Sequence, residues 1–335
     1  MIIVRFALLV IGPRDTMKLC RIDKSLRYLS LLLSFIAAAL CGCSTLQRTQ
    51  MPPRPEIVPA GHELVDVPFY PQTAYQCGPS TLAMALTYHG LSITPEELKS
   101  QVYTPSRKGS LQTDMVGATR RHGKIAYEIT GPDGIFPEIA AGHPVIILQN
   151  LGFSWLPVWH YAIVIGYNFT EKNVILRSGV TQRKVMSYDT FKKSWAYSNY
   201  WGLMVLEPTH IPVAAEENKY LTAVLGLEKS RQFQAAVRGY QTALTRWPGS
   251  LPALMGLGNG YYALEDLPGA ENAFREATER YPLAAPAYNN LAQVLLEQGR
   301  KREALAAAQK AVSLGGPLVS VSKKTLQEIR SKIPD

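Results

Sequence analysis

Cys77 stands in the run Pro71-Gln72-Thr73-Ala74-Tyr75-Gln76-Cys77-Gly78-Pro79-Ser80, which leads into TLAMALTYHG with apolar residues at helical spacing. That places a thiol at a helix start. Unpaired N–H groups and the positive end of the helix dipole favour thiolate there, and a thiolate is what a cysteine nucleophile requires. The alternative is a buried structural thiol, the common fate of an isolated cysteine. Gln72 argues for chemistry, because its amide N–H and the Cys77 backbone N–H can converge as two donors for an oxyanion. Gly78 is expected to permit an unusual turn and Pro79 to suit the first helical turn.

A nucleophile needs a base, and the six histidines are His62, His89, His122, His143, His160 and His210. No two have the short spacing of a metal site, and neither HExxH nor CxxC occurs, so neither a metal nor another cofactor is expected. His89 and His122 each precede a glycine at a helix end, where a cation would cap carbonyls. His143 precedes Pro144 in a turn. His160 differs, since it opens HYAIVIGY, a strand with Trp155 and Trp159 just before it. An imidazole there is either a satisfied core group or a placed base.

These residues must be positioned by a fold. From about His62 to Pro208 one helical signal is mixed with the β-rich runs LVDVPFY, AYEI, PVIIL, HYAIVIGY, NVILR and GLMVLE, which predicts an α+β domain over 61–208. Gln72, Cys77-Gly78-Pro79, then Gly109-Ser110-Leu111-Gln112, the strand Gly142–Ile147 and finally HYAIVIGY together resemble the papain-like cysteine peptidases of the bacteriocin-processing, double-glycine type over about 64–207. The resemblance implies Cys77 as nucleophile, His160 as general base and acid, and Gln72 as oxyanion donor, acting on a peptide or protein substrate. Gln72 lies five residues before Cys77, where the family commonly has six. The hairpin of HYAIVIGY and NVILR, turning near Phe169–Lys172, puts the partner of His160 near Ser178 to Val180. The family usually has Asp there; this chain offers Ser178, whose hydroxyl orients an imidazole but stabilises imidazolium less than a carboxylate. Asp189 and Asn168 are further options. Slower turnover, a third residue from elsewhere, or a domain that binds peptides without cutting them would each follow. A cell-wall amidase or transpeptidase would use the same Cys/His chemistry. Arg107 and Lys108, beside the expected cleft, would steer acidic substrates or simply be solvated.

After Ile211 the chain turns Ala- and Leu-rich and helical, and a period appears. Ala236, Ala270 and Ala304 are 34 apart, as are Ala243, Ala277 and Ala311, and Pro248 and Pro282. This resembles the tetratricopeptide repeat, roughly three units over about 219–315, and predicts an all-α domain over 212–320. Such an array implies a protein partner in its groove; otherwise its helices brace the preceding domain.

The N-terminal residues read as an address. Lys18, Arg21, Lys24 and Arg27 flank the apolar stretch LRYLSLLLSFIAAAL, too short for a spanning helix, and Leu40-Cys41-Gly42-Cys43-Ser44 resembles a bacterial lipobox. The resemblance implies a signal peptide over 1–43, lipidation of Cys43 and a membrane contact through that lipid. Residues 44–60 carry four prolines and read as a tether. Met17 is an alternative start. Ser44 lacks the Asp that often retains lipoproteins at the inner membrane, which points to the periplasmic side of the bacterial envelope and the outer membrane.

Composition sets the limits. The 335 residues suit two or three domains, and 47% hydrophobic with 18% charged excludes a chain disordered throughout. Four cysteines, three before position 44, are too few for a disulfide scaffold. The net charge of +9 falls to +5 once residues 1–42, with six basic and two acidic side chains, are removed. The remaining Lys and Arg are scattered, with no basic run among stacking aromatics, so nucleic acid is not an expected partner.

Overall fold

The computed structural model describes residues 51–333, apart from 57, 73, 74 and 133. The expected signal peptide, the lipidated Cys43 and the first part of the tether lie outside the described residues. The elements run β1 (Gly61–Glu63), α1 (Cys77–Tyr88), α2 (Pro95–Val102), β2 (Tyr103–Thr104), β3 (Gly109–Ser110), α3 (Gln112–Arg121), β4 (Ile125–Thr130), α4 (Ile135–Ala140) and β5 (Val145–Asn150). β6 (Trp159–Asn168), β7 (Asn173–Ser178), β8 (Thr181–Ser187), α5 (Tyr188–Ala196) and β9 (Trp201–Leu206) complete an α+β domain. Its seven-stranded antiparallel sheet has the order β4-β9-β5-β6-β7-β8, with β1 pairing the far end of β6.

Sequence chemistry explains the placements. β5 and β6 carry Val145–Ile147 and Ala162–Ile165, fully buried, because both faces of a central strand are covered. α1 packs against β6, and its run Gly78 to Leu86 is buried throughout. α2 starts at a capping box: the Glu97 N–H donates to the Thr94 hydroxyl at 3.3 Å, and the Thr94 N–H donates to the Glu97 carboxylate at 2.7 Å.

One expected strand is absent. Leu64 continues the β1 pairing through its N–H to the Ile165 carbonyl, but LVDVPFY then leaves the sheet. The buried Arg177 guanidinium donates to the carbonyls of Val65 and Val67, at 3.0 Å each, so these backbone acceptors are satisfied without a strand partner.

Beyond β9 the chain is helical: α6 (Glu217–Lys229), α7 (Phe233–Arg246), α8 (Leu251–Ala263), α9 (Leu267–Arg280), α10 (Ala285–Glu297), α11 (Lys301–Leu314) and α12 (Val319–Ser331). The starts of α6, α8 and α10 repeat every 34 residues, as do those of α7, α9 and α11. The alanines that set the period, Ala236, Ala270 and Ala304 with Ala243, Ala277 and Ala311, have no exposed surface at all. They let the paired helices approach closely.

The helices also brace the domain before them. One apolar core runs without a break from Val58 to Ala273 and includes Tyr220, Val224 and Tyr240, while a second, from Ala270 to Ile329, belongs to the later helices. Gln232 Nε2 donates to the Arg121 carbonyl at 2.9 Å, and the Ala214 N–H donates to Glu138 Oε1 at 3.2 Å. α6 and α7 are therefore welded to the sheet, and the later helices extend from that base.

Candidate active site

Helix α1 begins at Cys77 itself, so the thiol belongs to the turn whose N–H groups have no partner within the helix. The N–H groups of Gly78 and Cys77 act on the sulfur, and so does the N–H of Tyr161, the residue after His160 on β6. That last interaction ties the thiol to the start of the strand that carries the imidazole. Gln72, Cys77 and His160 line one cavity of about 920 Å³.

Gly78 is needed for a reason other than turn geometry. It has no left-handed backbone; instead, a Cβ here would come within 2.1 Å of Ser110 Oγ. Hydrogen lets the helix start lie against the β2–β3 hairpin at the edge of the cavity.

Gln72 is held from two sides. Its backbone N–H donates to the Gly179 carbonyl at 3.0 Å, and its Oε1 accepts from the Gly179 N–H at 3.1 Å. Nε2 donates to the Tyr161 carbonyl over a long 3.4 Å. The amide is thereby fixed in orientation, with a second Nε2 hydrogen to offer.

His160 Nε2 and Ser178 Oγ lie 2.9 Å apart. Nδ1 makes no hydrogen bond among the described residues. For Nδ1 to receive a proton, Nε2 must carry one and donate it to the Ser178 oxygen, which fixes the tautomer. The other two candidates are engaged elsewhere: Asn168 Oδ1 accepts from the Glu171 N–H at 3.0 Å, and Asp189 pairs with Lys193 at 2.8 Å.

Electrostatics overturn one expectation. Burial pushes the Cys77 thiol above its ordinary value, and the N–H groups of Tyr161, Gly78 and Cys77 oppose this without overcoming it. Burial, helped by the Lys184 ammonium, pushes His160 down to about 4. No carboxylate offsets these effects. The resting pair is therefore neutral thiol and neutral imidazole, whereas the helix start alone suggested thiolate. The expected cationic caps are corrected in the same way. His89 and His122 do terminate α1 and α3, but burial lowers both, His89 to about 4, so each sits at its helix end uncharged.

Two contributors to the cavity carry no signal in the sequence, the Tyr161 N–H and the Gly179 backbone that clamps Gln72, because both are backbone effects between segments far apart in the chain. Ser110, within GSLQ, is part of the motif, and its packing against Gly78 is what the structure adds.

Residues 64–203 match the model of the Peptidase C39 like family, and residues 255–317 match that of a tetratricopeptide repeat. The chain thus carries a C39-like peptidase domain followed by tetratricopeptide repeats. No curated protein matches it in sequence. Among solved structures, a C39-like peptidase from Bacillus anthracis is 16% identical, over 44% of this chain and 97% of that one, with a TM-score of 0.38. The peptidase domain of Streptococcus ComA, a bifunctional ABC transporter involved in quorum sensing, is 19% identical over 42% and 98%, with a TM-score of 0.35. The Yersinia enterocolitica type III secretion translocator chaperone SycD is 18% identical over 35% and 92%, with a TM-score of 0.33.

Proposed function

We propose that the C39-like domain is a cysteine peptidase in which Cys77 attacks a peptide carbonyl and His160 moves the proton. The thiol gives its proton to His160 Nδ1 as the S–C bond forms. The oxyanion accepts from Gln72 Nε2 and the Cys77 N–H, and the imidazolium returns the proton to the leaving amine as the C–N bond breaks. Water, deprotonated by the same imidazole, then hydrolyses the thioester and frees the sulfur. Because the pair rests neutral, proton transfer accompanies attack, as in a serine hydrolase. Ser178 holds the ring. The chain is anchored in the bacterial envelope through a lipid on Cys43, facing the periplasm from the outer membrane, and the repeats recruit a protein partner or substrate.

The observation that supports this most directly is the one cavity shared by Cys77, Gln72 and His160, with the imidazole held by Ser178 Oγ at 2.9 Å. A second reading rests on a specific feature, the hydroxyl where a carboxylate would stabilise imidazolium: a peptide-binding scaffold that no longer turns over. One experiment separates them. Wild type and the Cys77→Ala and His160→Ala variants are incubated with a peptide library and with muropeptides, and the products are read by mass spectrometry. Hydrolysis of peptides by wild type, lost in Cys77→Ala and reduced about a thousandfold or more in His160→Ala, is expected. Binding without products supports the scaffold, and cleavage of muropeptides alone supports a cell-wall amidase.

A further inference from the structure

The loop between β5 and β6, Leu151 to Val158, carries no charge and turns its large side chains outward. Trp155 is 77% exposed and Phe153 64%, with Leu156 and Val158 also exposed. The Phe153 and Trp155 rings stack in parallel at 5.6 Å. This is a built feature rather than a loose tip. Asn150 Oδ1 accepts from the N–H groups of Gly152 and Val158, both at 2.9 Å, and Phe153 and Leu156 exchange backbone bonds at 3.1 and 3.2 Å. A Cβ on Gly152 would lie 2.4 Å from the Leu156 carbonyl oxygen, so the hairpin closes tightly only with glycine there.

The base of this loop, Pro157 to Trp159, is a wall of the cavity that holds Cys77 and His160. The same cavity is lined from a separate segment by Arg107 and Lys108. Lys108 lies over the Tyr75 ring at 6.0 Å, and neither cation joins an ion pair among the described residues. The cleft thus presents a rigid aromatic lip and an unpaired cationic lip around one thiol. A preformed aromatic surface binds with little ordering cost, and unpaired cations await anionic partners.

We propose that the substrate of this cleft is a polypeptide with aromatic or large apolar residues on one side of the bond to be cut and acidic residues on the other. The aromatic side docks on Phe153, Trp155 and Trp159, and the acidic side on Arg107 and Lys108. This rests on the peptidase reading above for the word substrate, and on the cavity alone for the docking. Continuity of the loop with the Cys77 cavity favours a polypeptide over a lipid surface.

The test uses the full chain as Cys77→Ala and reads the anisotropy of three labelled peptides, each made in both chain directions. One has Phe and Trp on one flank and Asp and Glu on the other; the second replaces the acids by Lys; the third replaces the aromatics by Ser. The first should bind about tenfold tighter than either of the others. Adding Phe153→Ser with Trp155→Ser should erase the aromatic preference and keep the acidic one. Adding Arg107→Ser with Lys108→Ser should do the reverse and remove the salt dependence. Equal binding of all three peptides overturns the proposal, as does a preference that survives both double variants. It also falls if the aromatic variant changes only partition onto phosphatidylcholine–phosphatidylglycerol vesicles, because the loop would then be a membrane contact. Preferences that persist while wild type cuts none of the peptides would sink the peptidase reading and leave the docking surface standing.

Discussion

The C39-like domain and the repeats solve opposite problems with the same chain. In the first, the cavity is assembled across long stretches of sequence: Gln72 meets Tyr161 and Gly179, and Cys77 meets Tyr161. In the second, helices meet their neighbours, and glycine makes room for a side chain of the helix before or after: Gly239 for Val224, Gly256 for Tyr240, Gly258 for Phe274. Long-range assembly buries polar groups whose charge states must be settled by their surroundings. Nearest-neighbour stacking buries mainly apolar surface and can be extended unit by unit. The difference is also one of titration, for all six histidines precede position 211.

Acid should expose that asymmetry most strongly. His89 and His160 are held down to about 4 in the folded state, mainly by burial, against an ordinary value near 6.5. Between those values the unfolded chain binds more protons, so stability is intact above about pH 6.5 and is lost as pH falls toward 4. The fall from 6.5 to about 4 corresponds to roughly 3 kcal/mol for each histidine at full effect. Four of the five tryptophans (Trp155, Trp159, Trp195, Trp201) precede the repeats. The thermal transition seen by tryptophan fluorescence should therefore drop steeply on acidification, while helical ellipticity from the later repeats persists. His89→Gln should remove part of the drop. A single coincident transition at every pH would mean that the two cores melt as one.

Within the cavity, the neutral pair can be converted to an ion pair. Ser178→Asp would put a carboxylate beside His160 Nε2, raising the imidazole and, through the imidazolium, lowering the thiol. Alkylation of Cys77 by iodoacetamide at neutral pH should rise about tenfold, with its inflection moving to lower pH. Wild type should instead show a rate that climbs past the ordinary thiol range, consistent with a thiol raised by burial. Ser178→Ala leaves the Nε2 proton without its acceptor and should slow peptide hydrolysis. Identical alkylation profiles for Ser178→Asp and wild type would show that the ring does not communicate with the sulfur.

What could be read from the residues divides along the same line. The 34-residue period placed the repeat helices, because stacked units impose the same demand for small residues at each crossing. The apolar run after His160 marked β6, and the turn near Phe169–Lys172 brought Ser178 into the candidate set, now 2.9 Å from His160 Nε2. The thiol's ionisation is not legible in this way, since a helix start is visible in sequence but the burial that outweighs it is not. β8 gives little signal, because TQRKVMS is a polar edge strand with little apolar alternation. LVDVPFY has a strand's composition without a strand's place, because a side chain 110 residues later, Arg177, takes the carbonyl of Val67.

The boundary between the two cores can be located within a single helix. On α8, a Cβ at Gly256 would come within 2.3 Å of the Tyr240 ring, which belongs to the core shared with the sheet. Two residues on, a Cβ at Gly258 would come within 2.4 Å of Phe274, in the core of the later repeats. Overpacking of this kind costs about 1–3 kcal/mol, while the gain in helix propensity returns about 1 kcal/mol, leaving a net loss of up to about 2 kcal/mol in either variant. Gly258→Ala should lower the melting of helical ellipticity and leave Cys77 alkylation at the wild-type rate. Gly256→Ala, straining Tyr240, should also lower the transition seen by tryptophan fluorescence. If both variants act on both signals alike, the sheet domain and all the repeats share one cooperative unit, and the division between a chemical region and a stacking region is one of local structure and not of stability.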